Sequence, residues 1–277
     1  MRFGRPVSEL IAARKSCRTF EVRQLDEQVR TELAAGRAES SRGLLGEAAR
    51  FWLVERPEPD MRRLKLGLGI VANASNLLVG AVMESPLAYA SLGYLMERLV
   101  LKATDLGLGT CWVGHYDPKW FPELGITKRE KTPVAVAVGY PTAKRTAQER
   151  VIRIAIQADR RKPWDDLFFA GPSEAPLSRE QAGPYAHALE MVRLAPSAGN
   201  TQPWRIVKNG LKFDFHVKPT NPKYEERHLH DVDVGIALSH FELAARETGL
   251  KGSWNVQAPD APALNGCRYV ISWDGGK

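Results

Sequence analysis

The residues with the clearest chemical potential are three cations and two hydroxyl groups that fall within six positions near the start of the chain. Arg14, Lys15 and Arg18 carry the charges, and Ser16 and Thr19 carry the hydroxyl groups. A phosphate group favours such a set, because charge-assisted hydrogen bonds are roughly twice as strong as neutral ones and Arg binds two oxygens at once. A solvated helix end has the same composition, since cations also favour the C-terminal dipole of a helix. We call residues 14–20 the N-terminal basic run.

A second polar stretch, residues 195–204, has the sequence Ala-Pro-Ser-Ala-Gly-Asn-Thr-Gln-Pro-Trp, and we call it the Ala-Pro-Ser loop. Pro196 and Pro203 each fix one φ angle and push the preceding residue, such as Gln202, toward an extended conformation. Gly199 permits a positive φ. This loop is suited to gripping a flat polar ligand, although the same residue types fill ordinary turns. Its hydrogen-bonding side chains are those of Ser197, Asn200, Thr201 and Gln202.

Two further stretches have an ordinary structural interpretation when each is taken alone. Residues 107–114, the glycine stretch, have the sequence Gly-Leu-Gly-Thr-Cys-Trp-Val-Gly and predict a helix end followed by a buried strand. Residues 158–167, the second basic run, place Arg160, Arg161 and Lys162 next to a proline, which is typical of a basic segment on a protein surface. Neither stretch indicates a ligand without support from the rest of the sequence.

Metal-ligand residue types follow one another closely at residues 228–233, which include His228, His230, Asp231 and Asp233. A strand would bring alternate members of this set to one side, where a metal ion would fit. The residues that follow indicate a helix, however, and Asp231 or Asp233 suits its N-cap because the helix dipole favours aspartate there. We therefore predict no metal site. The sequence also has no catalytic triad pattern, P-loop or Gly-x-Gly-x-x-Gly fingerprint.

The composition is that of an ordinary globular protein with a basic net charge. The 277 residues are 44% hydrophobic and 26% charged, with a formal net charge of +7. This charge favours anionic partners, which leaves nucleic acid, an acidic surface and phosphorylated small molecules open. The three cysteines lack C-x-x-C spacing, so we expect no disulfide framework or structural zinc. Without an apolar targeting segment or a membrane-length apolar stretch, we expect a soluble cytoplasmic protein.

The elements that must position these groups form an internal repeat at an offset of 142 residues. Both copies predict a helix, a left-handed glycine at its C-terminus, Gly107 or Gly249, and then an extended segment. An earlier helix-like segment leads to an apolar strand-like one at residues 51–54 in the first half and 204–207 in the second. The identical pairs are Gly93 and Gly235, Leu101 and Leu243, Ala103 and Ala245, Gly107 and Gly249, Leu108 and Leu250, and Trp112 and Trp254.

Helices and strands thus mix along the chain, which predicts an α+β fold. Residues 133–139, Pro-Val-Ala-Val-Ala-Val-Gly, are typical of a short buried strand. The chain turns strongly basic at residues 142–162 and becomes rich in Pro, Gly and Ser at residues 171–184, so we place the connection between the halves there. The predicted halves are residues 1–165 and residues 166–277.

Together these stretches resemble the FMN-dependent nitroreductase family, in its fused two-half branch. The Ala-Pro-Ser loop is similar to the family's flavin-contacting loop, and it has the same context of an apolar helix before it and a strand after it. The N-terminal basic run matches the family pattern Arg-Arg-Ser-hydrophobic-Arg-x-Phe/Tyr, with Lys15 and Cys17 as departures. The glycine stretch resembles the strand that runs beside the flavin. The second basic run resembles a segment that supplies further phosphate contacts.

The resemblance implies an FMN site in which each stretch has a role. Residues that would hold the phosphate and ribityl chain are Arg14, Lys15, Ser16 and Arg18, with phosphate contacts also from Arg160 and Arg161. The backbone at Val113 and Gly114 would approach the reactive part of the isoalloxazine ring. The loop residues that would address the ring and ribityl chain are Pro196, Ser197, Ala198, Asn200 and Gln202. We assign no catalytic side chain, because the cofactor carries the chemistry.

The resemblance also implies a fold and an assembly. Family enzymes are usually homodimers, in which each flavin site takes its phosphate-binding motif from one subunit and its Ala-Pro-Ser loop from the other. Here the first half has that motif and the second half has the loop. We therefore expect a nitroreductase-like pseudo-dimer within one chain, with one complete flavin site and a mainly antiparallel sheet flanked by helices in each half. Such a chain would function as a monomer, without nucleic acid or membrane partners.

The implied function is electron transfer between small molecules. NAD(P)H, as a transient reductant, would deliver hydride to FMN, and an electron-poor acceptor such as a nitroaromatic or a quinone would then take its place. The choice between NADH and NADPH and the physiological acceptor stay open, and we expect residues 115–125 and 219–227 to shape the substrate pocket. A non-catalytic flavin sensor or carrier is the alternative, since loss of one site suggests relaxed demand for turnover. The basic charge alone would favour a nucleic-acid-binding protein.

Overall fold

The computed structural model describes residues 1–39, 42–57, 60–61, 65–85, 87–143, 146–171, 175–256 and 264–276. The chain divides into two compact units. Unit 1 consists of Met1–Ala88 and Leu95–Asp159, and unit 2 consists of Tyr89–Tyr94 and Arg160–Lys277. The division predicted from the sequence, between residues 165 and 166, concerns two related halves and stays a prediction.

Unit 1 is built on an antiparallel sheet. Its described strands are β1 (Ala49–Glu55), β2 (Asn76–Met83), β3 (Gly109–Val113), β4 (Glu130–Lys131) and β5 (Ala135–Gly139). The strand order is β1-β2-β5-β3, with β4 paired to β2, and these pairings are antiparallel. The strand predicted at residues 133–139 is β5, which lies between two neighbours and is buried along its whole length. Its small and β-branched side chains suit that central position.

The described helices of unit 1 are α1 (Val7–Ala13), α2 (Glu27–Glu39), the distorted turn α3 (Leu66–Gly69), α4 (Ala88–Asp105) and α5 (Ala147–Ala155). The first turns of α4, Tyr89–Tyr94, belong to unit 2. After α4 the chain turns at Gly107, whose φ is +78°, as predicted for a left-handed glycine at a helix end. This turn leads directly into β3, so the glycine stretch has the predicted order of helix end and strand.

Unit 2 contains a larger sheet. Its described strands are β6 (Phe168–Ala170), β7 (Ala175–Pro176), β8 (Trp204–Asn209), β9 (Lys212–Val217), β10 (Gly252–Asn255) and β11 (Arg268–Gly275). The strand order is β10-β11-β9-β8-β6-β7. The pairing of β6 with β8 is parallel and the others are antiparallel. The prediction of an α+β fold with mainly antiparallel sheets is confirmed for both units.

The described helices of unit 2 are α6 (Arg179–Ala182), α7 (Ala186–Arg193), α8 (Pro222–Glu226) and α9 (Leu229–Glu247). Helix α9 is buried along most of its length, and aromatic rings surround its Phe241. The ring centroids of Phe213, Phe215 and Trp273 lie 5.2, 5.3 and 5.7 Å from that of Phe241. Such aromatic pairs contribute about 0.5–1.5 kcal/mol each beyond their area burial, so this cluster fixes α9 against the sheet.

Within unit 2, helix α9 crosses the first turns of α4 at two glycines. A Cβ atom on Gly93 would lie 2.2 Å from the carbonyl oxygen of Val232, and one on Gly235 would lie 2.0 Å from that of Ala90. The two contacts are equivalent, because Gly235 and Val232 follow Gly93 and Ala90 at the repeat offset of 142 residues. A reciprocal contact of this form is characteristic of two-fold symmetric interfaces. The reciprocal contact supports the internal repeat, because a chance similarity in composition would not place these two glycines in equivalent contacts.

The start of α9 differs from the prediction that Asp231 or Asp233 caps it. The helix begins at Leu229, after His228 with φ +54°, so both aspartates lie inside the helix. Each carboxylate has a tertiary partner instead. Asp231 accepts a hydrogen bond from Arg268 over 2.7 Å, and Asp233 accepts one from the backbone of Ala198 over 2.9 Å. These partners come from distant parts of the sequence, which is why local capping preferences did not reveal them.

Across the described ranges, the structure has no helix that is long and apolar enough to cross a membrane.

Candidate functional site

Two arginine side chains are buried in unit 1 just after its first helix. Helix α1 ends at Ala13, and the backbone at Arg14 is already extended, with φ −60° and ψ 121°. Arg14 is 7% exposed and Arg18 is 5% exposed, whereas Lys15 is exposed. The N-terminal basic run is therefore not the solvated helix end that its composition alone would allow.

The extended segment after α1 lies along strand β3. Ser16 forms a parallel bridge with Thr110, and the backbone N–H of Cys17 donates to the Thr110 carbonyl over 2.8 Å. Strand β3 continues to Val113, which is buried, and the chain then passes through Gly114. Unit 1 thus brings the N-terminal basic run and the glycine stretch together, through backbone pairing.

The buried guanidinium groups lack protein partners at several atoms. Among the described residues, Nε of Arg14 and both Nε and Nη1 of Arg18 are buried without a hydrogen bond. Burial lowers the pKa of Arg14, and the nearby carboxylate of Glu97 opposes this shift. Buried charges in proteins are normally paired and hydrogen-bonded, because an unpaired charge is costly away from water. Unpartnered donors of this kind suit an anionic ligand.

The two buried arginines belong to a cluster of buried ionisable groups, and the sequence motifs did not indicate its other members. Glu97, Glu149 and Arg153 are all buried. The Trp112 indole N–H donates to Glu97 over 3.1 Å, and Arg153 forms an ion pair with Asp159.

Helix α5 holds two members of this cluster in an unexpected orientation. It buries Glu149 and Arg153, while Val151 is 66% exposed and Ile154 is 78% exposed. From its sequence, an amphipathic helix would be expected to bury its apolar residues and to expose its charged ones. Only the tertiary fold, through such contacts as that between Thr19 Oγ1 and Glu149 Oε2 at 3.4 Å, reveals which face points inward.

The Ala-Pro-Ser loop connects α7 to β8 in unit 2, as predicted. Its backbone turns tightly, with φ values of +56°, +58° and +49° at Gly199, Asn200 and Gln202. The expectation that Pro203 makes Gln202 extended is therefore wrong. The Gln202 backbone N–H donates to Ser197 Oγ over 2.9 Å, and its side chain is bonded as well, so tertiary hydrogen bonds outweigh the local preference.

The second basic run packs against this loop. The side-chain amide of Asn200 donates to the Arg160 carbonyl over 2.9 Å, and the Lys162 backbone N–H donates to Gln202 Oε1 over 2.8 Å. Arg161 donates from Nη2 to the Leu194 carbonyl over 3.2 Å. Arg160 is exposed and Arg161 is half-buried. The polar side chains of Asn200 and Gln202 are thus engaged within unit 2.

The predicted site residues fall into two groups, one in each unit. Unit 2 holds Arg160, Arg161 and the loop residues, of which Pro196, Ser197, Ala198 and Asn200 are half-buried and Gln202 is buried. Unit 1 holds Arg14, Lys15, Ser16, Arg18, Val113 and Gly114. In the part of the chain that the structure describes, no group of three or more His, Cys, Asp or Glu side chains is arranged to bind a metal ion.

Comparison with known protein families identifies the chain. A family model described as "Putative TM nitroreductase" matches residues 6–245. The chain belongs to this family. The resemblance drawn from the sequence motifs is thereby confirmed. No curated protein matched the sequence of this nitroreductase-family chain.

Several solved structures are similar to this chain. A protein from Thermotoga maritima, described as a "putative nitroreductase", has a TM-score of 0.62 and 21% identity, with 99% of this chain and 95% of that chain covered. This similarity shows the nitroreductase-like fold. A nitroreductase with bound FMN from Bacteroides fragilis has a TM-score of 0.43 and 20% identity, with 51% and 91% covered. Another from Desulfitobacterium hafniense, also with bound FMN, has a TM-score of 0.43 and 18% identity, with 52% and 93% covered.

Proposed function

We propose that this nitroreductase-family chain binds FMN and works as an oxidoreductase. The observation that carries the proposal is the pair of buried arginines in unit 1, Arg14 and Arg18, because Nε of Arg14 and both Nε and Nη1 of Arg18 lack hydrogen-bond partners among the described residues. A phosphate monoester has a charge of about −1.5 to −2 at neutral pH and three strong acceptor oxygens. Such a group needs charged donors when it is held away from water. Membership of a nitroreductase family supports the same cofactor.

The donor set around these arginines fits a phosphate. Arg14 and Arg18 would supply charged N–H groups, and the hydroxyl of Ser16 would supply a neutral one. Lys15 is exposed and would contribute charge rather than a fixed contact. The buried carboxylate of Glu97 offsets part of the positive charge in the absence of ligand, so the cluster tolerates burial before the anion arrives.

For unit 2 we propose that the loop backbone, more than its polar side chains, contacts the flavin. Asn200 and Gln202 hold the loop to the second basic run, as their hydrogen bonds indicate. Small residues such as Ser197 and Ala198, next to the left-handed Gly199, let the main chain come close to a flat ring. The exposed Arg160 would add a cation for the phosphate.

When bound, FMN would supply the redox chemistry, accepting a hydride from NAD(P)H and reducing an electron-poor acceptor such as a nitroaromatic or a quinone. The residues of the chain would bind and orient the cofactor: the arginines would neutralise the phosphate, and the backbone of the loop and of the glycine stretch would lie close to the ring. No side chain is assigned a proton-transfer step. We propose that small-molecule acceptors are the partners and that the chain functions as a monomer.

FMN titration of the purified chain, followed by quenching of flavin fluorescence, tests the binding proposal. Arg14→Ala should weaken FMN binding about ten- to a hundredfold, because it removes a charge-assisted contact of about 1.5–3 kcal/mol. Arg150→Ala removes an exposed arginine of α5 in the same unit and should bind FMN like the wild type. Inorganic phosphate should compete with FMN. Equal affinity in Arg14→Ala and the wild type would remove the N-terminal basic run from the proposed site.

Turnover separates the enzyme from a non-catalytic flavin-binding protein. With FMN bound, the chain should oxidise NADH or NADPH in the steady state when a nitroaromatic or a quinone is present. The same assay without acceptor gives the background rate with oxygen. A chain that binds FMN tightly but oxidises neither nucleotide with any acceptor of these classes would be a sensor or carrier.

A further inference from the structure

A buried carboxylate lies beneath the Ala-Pro-Ser loop. Asp233, on the second turn of α9, is 4% exposed, and its Oδ1 accepts a hydrogen bond from the backbone N–H of Ala198 over 2.9 Å. Its other oxygen, Oδ2, lies 3.6 Å from Nδ1 of His230, which is fully buried. The carboxylate therefore faces the loop backbone with one oxygen and an imidazole with the other.

The imidazole extends this contact to a second loop. The backbone N–H of Thr220 points to Nε2 of His230 over 3.3 Å, and the Thr220 hydroxyl lies 3.2 Å from the same nitrogen. A backbone N–H can only donate, so Nε2 must carry the lone pair. The single proton of the neutral ring is then on Nδ1, the nitrogen that faces Asp233. Asp233 thus accepts a hydrogen bond from the Ala198 N–H, and its second oxygen faces the Nδ1–H of His230 over 3.6 Å, which is longer than a hydrogen bond.

Neither side chain of this pair is exposed enough to touch a substrate. His230 is fully buried, and burial raises the pKa of Asp233, an effect that its contacts with His230 and with the Ala198 N–H oppose. The neighbouring Asp231 offers a comparison, because it bonds His228 and Arg268 and has no contact with the loop among its hydrogen bonds.

We propose that Asp233, oriented by His230, is the positioning residue that holds the Ala-Pro-Ser loop in its ligand-binding conformation and couples it to the segment at Thr220. The part of this inference that concerns flavin rests on the proposed function. The part that concerns the loop does not. Residues 219–227 are the segment expected to shape the substrate pocket, so the pair would link the flavin loop to that segment.

Amide hydrogen exchange of the purified full chain, without flavin, tests the loop part. Asp233→Ala should speed exchange at Ala198 about ten- to a hundredfold, as expected when a backbone N–H loses its buried acceptor. Asp233→Asn keeps an acceptor at Oδ1 and should restore most of the protection, whereas Asp231→Asn should leave it unchanged. Residues 236–245 of α9 serve as an internal reference for global unfolding. If Asp233→Ala does not fold, Asp233→Val fills the site without an acceptor and carries the same expectation.

Wild-type exchange at Ala198 in both acceptor-less variants would overturn the proposal. An equal loss of protection in Asp231→Asn would also overturn it, because the effect would then belong to the helix and not to Asp233. FMN titration is the second arm: Asp233→Ala should bind FMN at least about tenfold more weakly than Asp231→Asn. Faster exchange with unchanged FMN affinity would overturn the flavin part. A wild-type chain that binds no FMN would refute the proposed function, while the exchange result would still decide the role of Asp233.

Discussion

Replacement of Arg18 by methionine should separate ligand binding from stability. Two of the three guanidinium nitrogens of Arg18, Nε and Nη1, are buried without partners among the described residues. Methionine fills a comparable volume with flexible apolar atoms and has no donor to leave unpaired. Arg14 is less suitable for this experiment, because the buried Glu97 offsets part of its charge.

The expected magnitudes have opposite signs. A buried donor without a partner costs about 1–3 kcal/mol, so the ligand-free Arg18→Met chain should gain about that much free energy of unfolding. Loss of a charged contact to the phosphate should weaken FMN binding about ten- to a hundredfold. Stability and affinity should therefore change in opposite directions, as is common where a site is built for function at the expense of stability.

Urea denaturation of the ligand-free protein, followed by tryptophan fluorescence, measures the first effect. FMN titration measures the second. Arg150→Met is the matched control, because Arg150 is an exposed arginine of unit 1, and neither quantity should change in it. A lower urea midpoint together with wild-type FMN affinity would refute the reasoning, since Arg18 would then be a structural residue with no part in anion binding.

Three further predictions address the fold. Gly93→Ala and Gly235→Ala should each lower the free energy of unfolding, measured by urea denaturation, by about 1–3 kcal/mol or more. The new Cβ would lie 2.2 or 2.0 Å from a carbonyl oxygen. Gly276→Ala is the control and should be close to neutral, because the nearest atom to its new Cβ is 3.5 Å away. Gln202→Ala should cost about 1–3 kcal/mol by leaving the Lys162 N–H without its 2.8 Å acceptor, and unchanged stability would mean that water replaces it. Burial lowers the pKa of His216 below its ordinary 6.5, so the unfolded chain binds a proton at this residue more tightly than the folded chain does. The free energy of unfolding should therefore fall as the pH is lowered from 7 to 5. An equal fall in His216→Asn would contradict this cause.

Local sequence signals were sufficient for several elements of the fold. The buried strand β5 follows from its run of Val and Ala, and the turn after α4 follows from Gly107, because both depend on conformational preferences of a few adjacent residues. The Ala-Pro-Ser loop was recognisable for the same reason. Its position between a helix and a strand needed only the apolar periodicity on either side.

Features that depend on distant partners were not predictable. The left-handed conformation of Gln202 contradicts the preference of a residue before proline, and it is held by bonds to Ser197 and Lys162. The aspartates of α9 were expected to cap the helix and instead bind Ala198 and Arg268. In each case the tertiary partner decides, and a single sequence does not contain that information in its local pattern.

The absorbance spectrum of the purified chain, recorded in the visible range before and after addition of NADPH or NADH without oxygen, tests the central claim most directly. The proposed function predicts flavin bands, either as purified or after incubation with FMN, that bleach when the reduced nucleotide is added. Bands that persist with both nucleotides would contradict the oxidoreductase and favour a flavin-binding protein. No bands after incubation with FMN would contradict the flavin site itself.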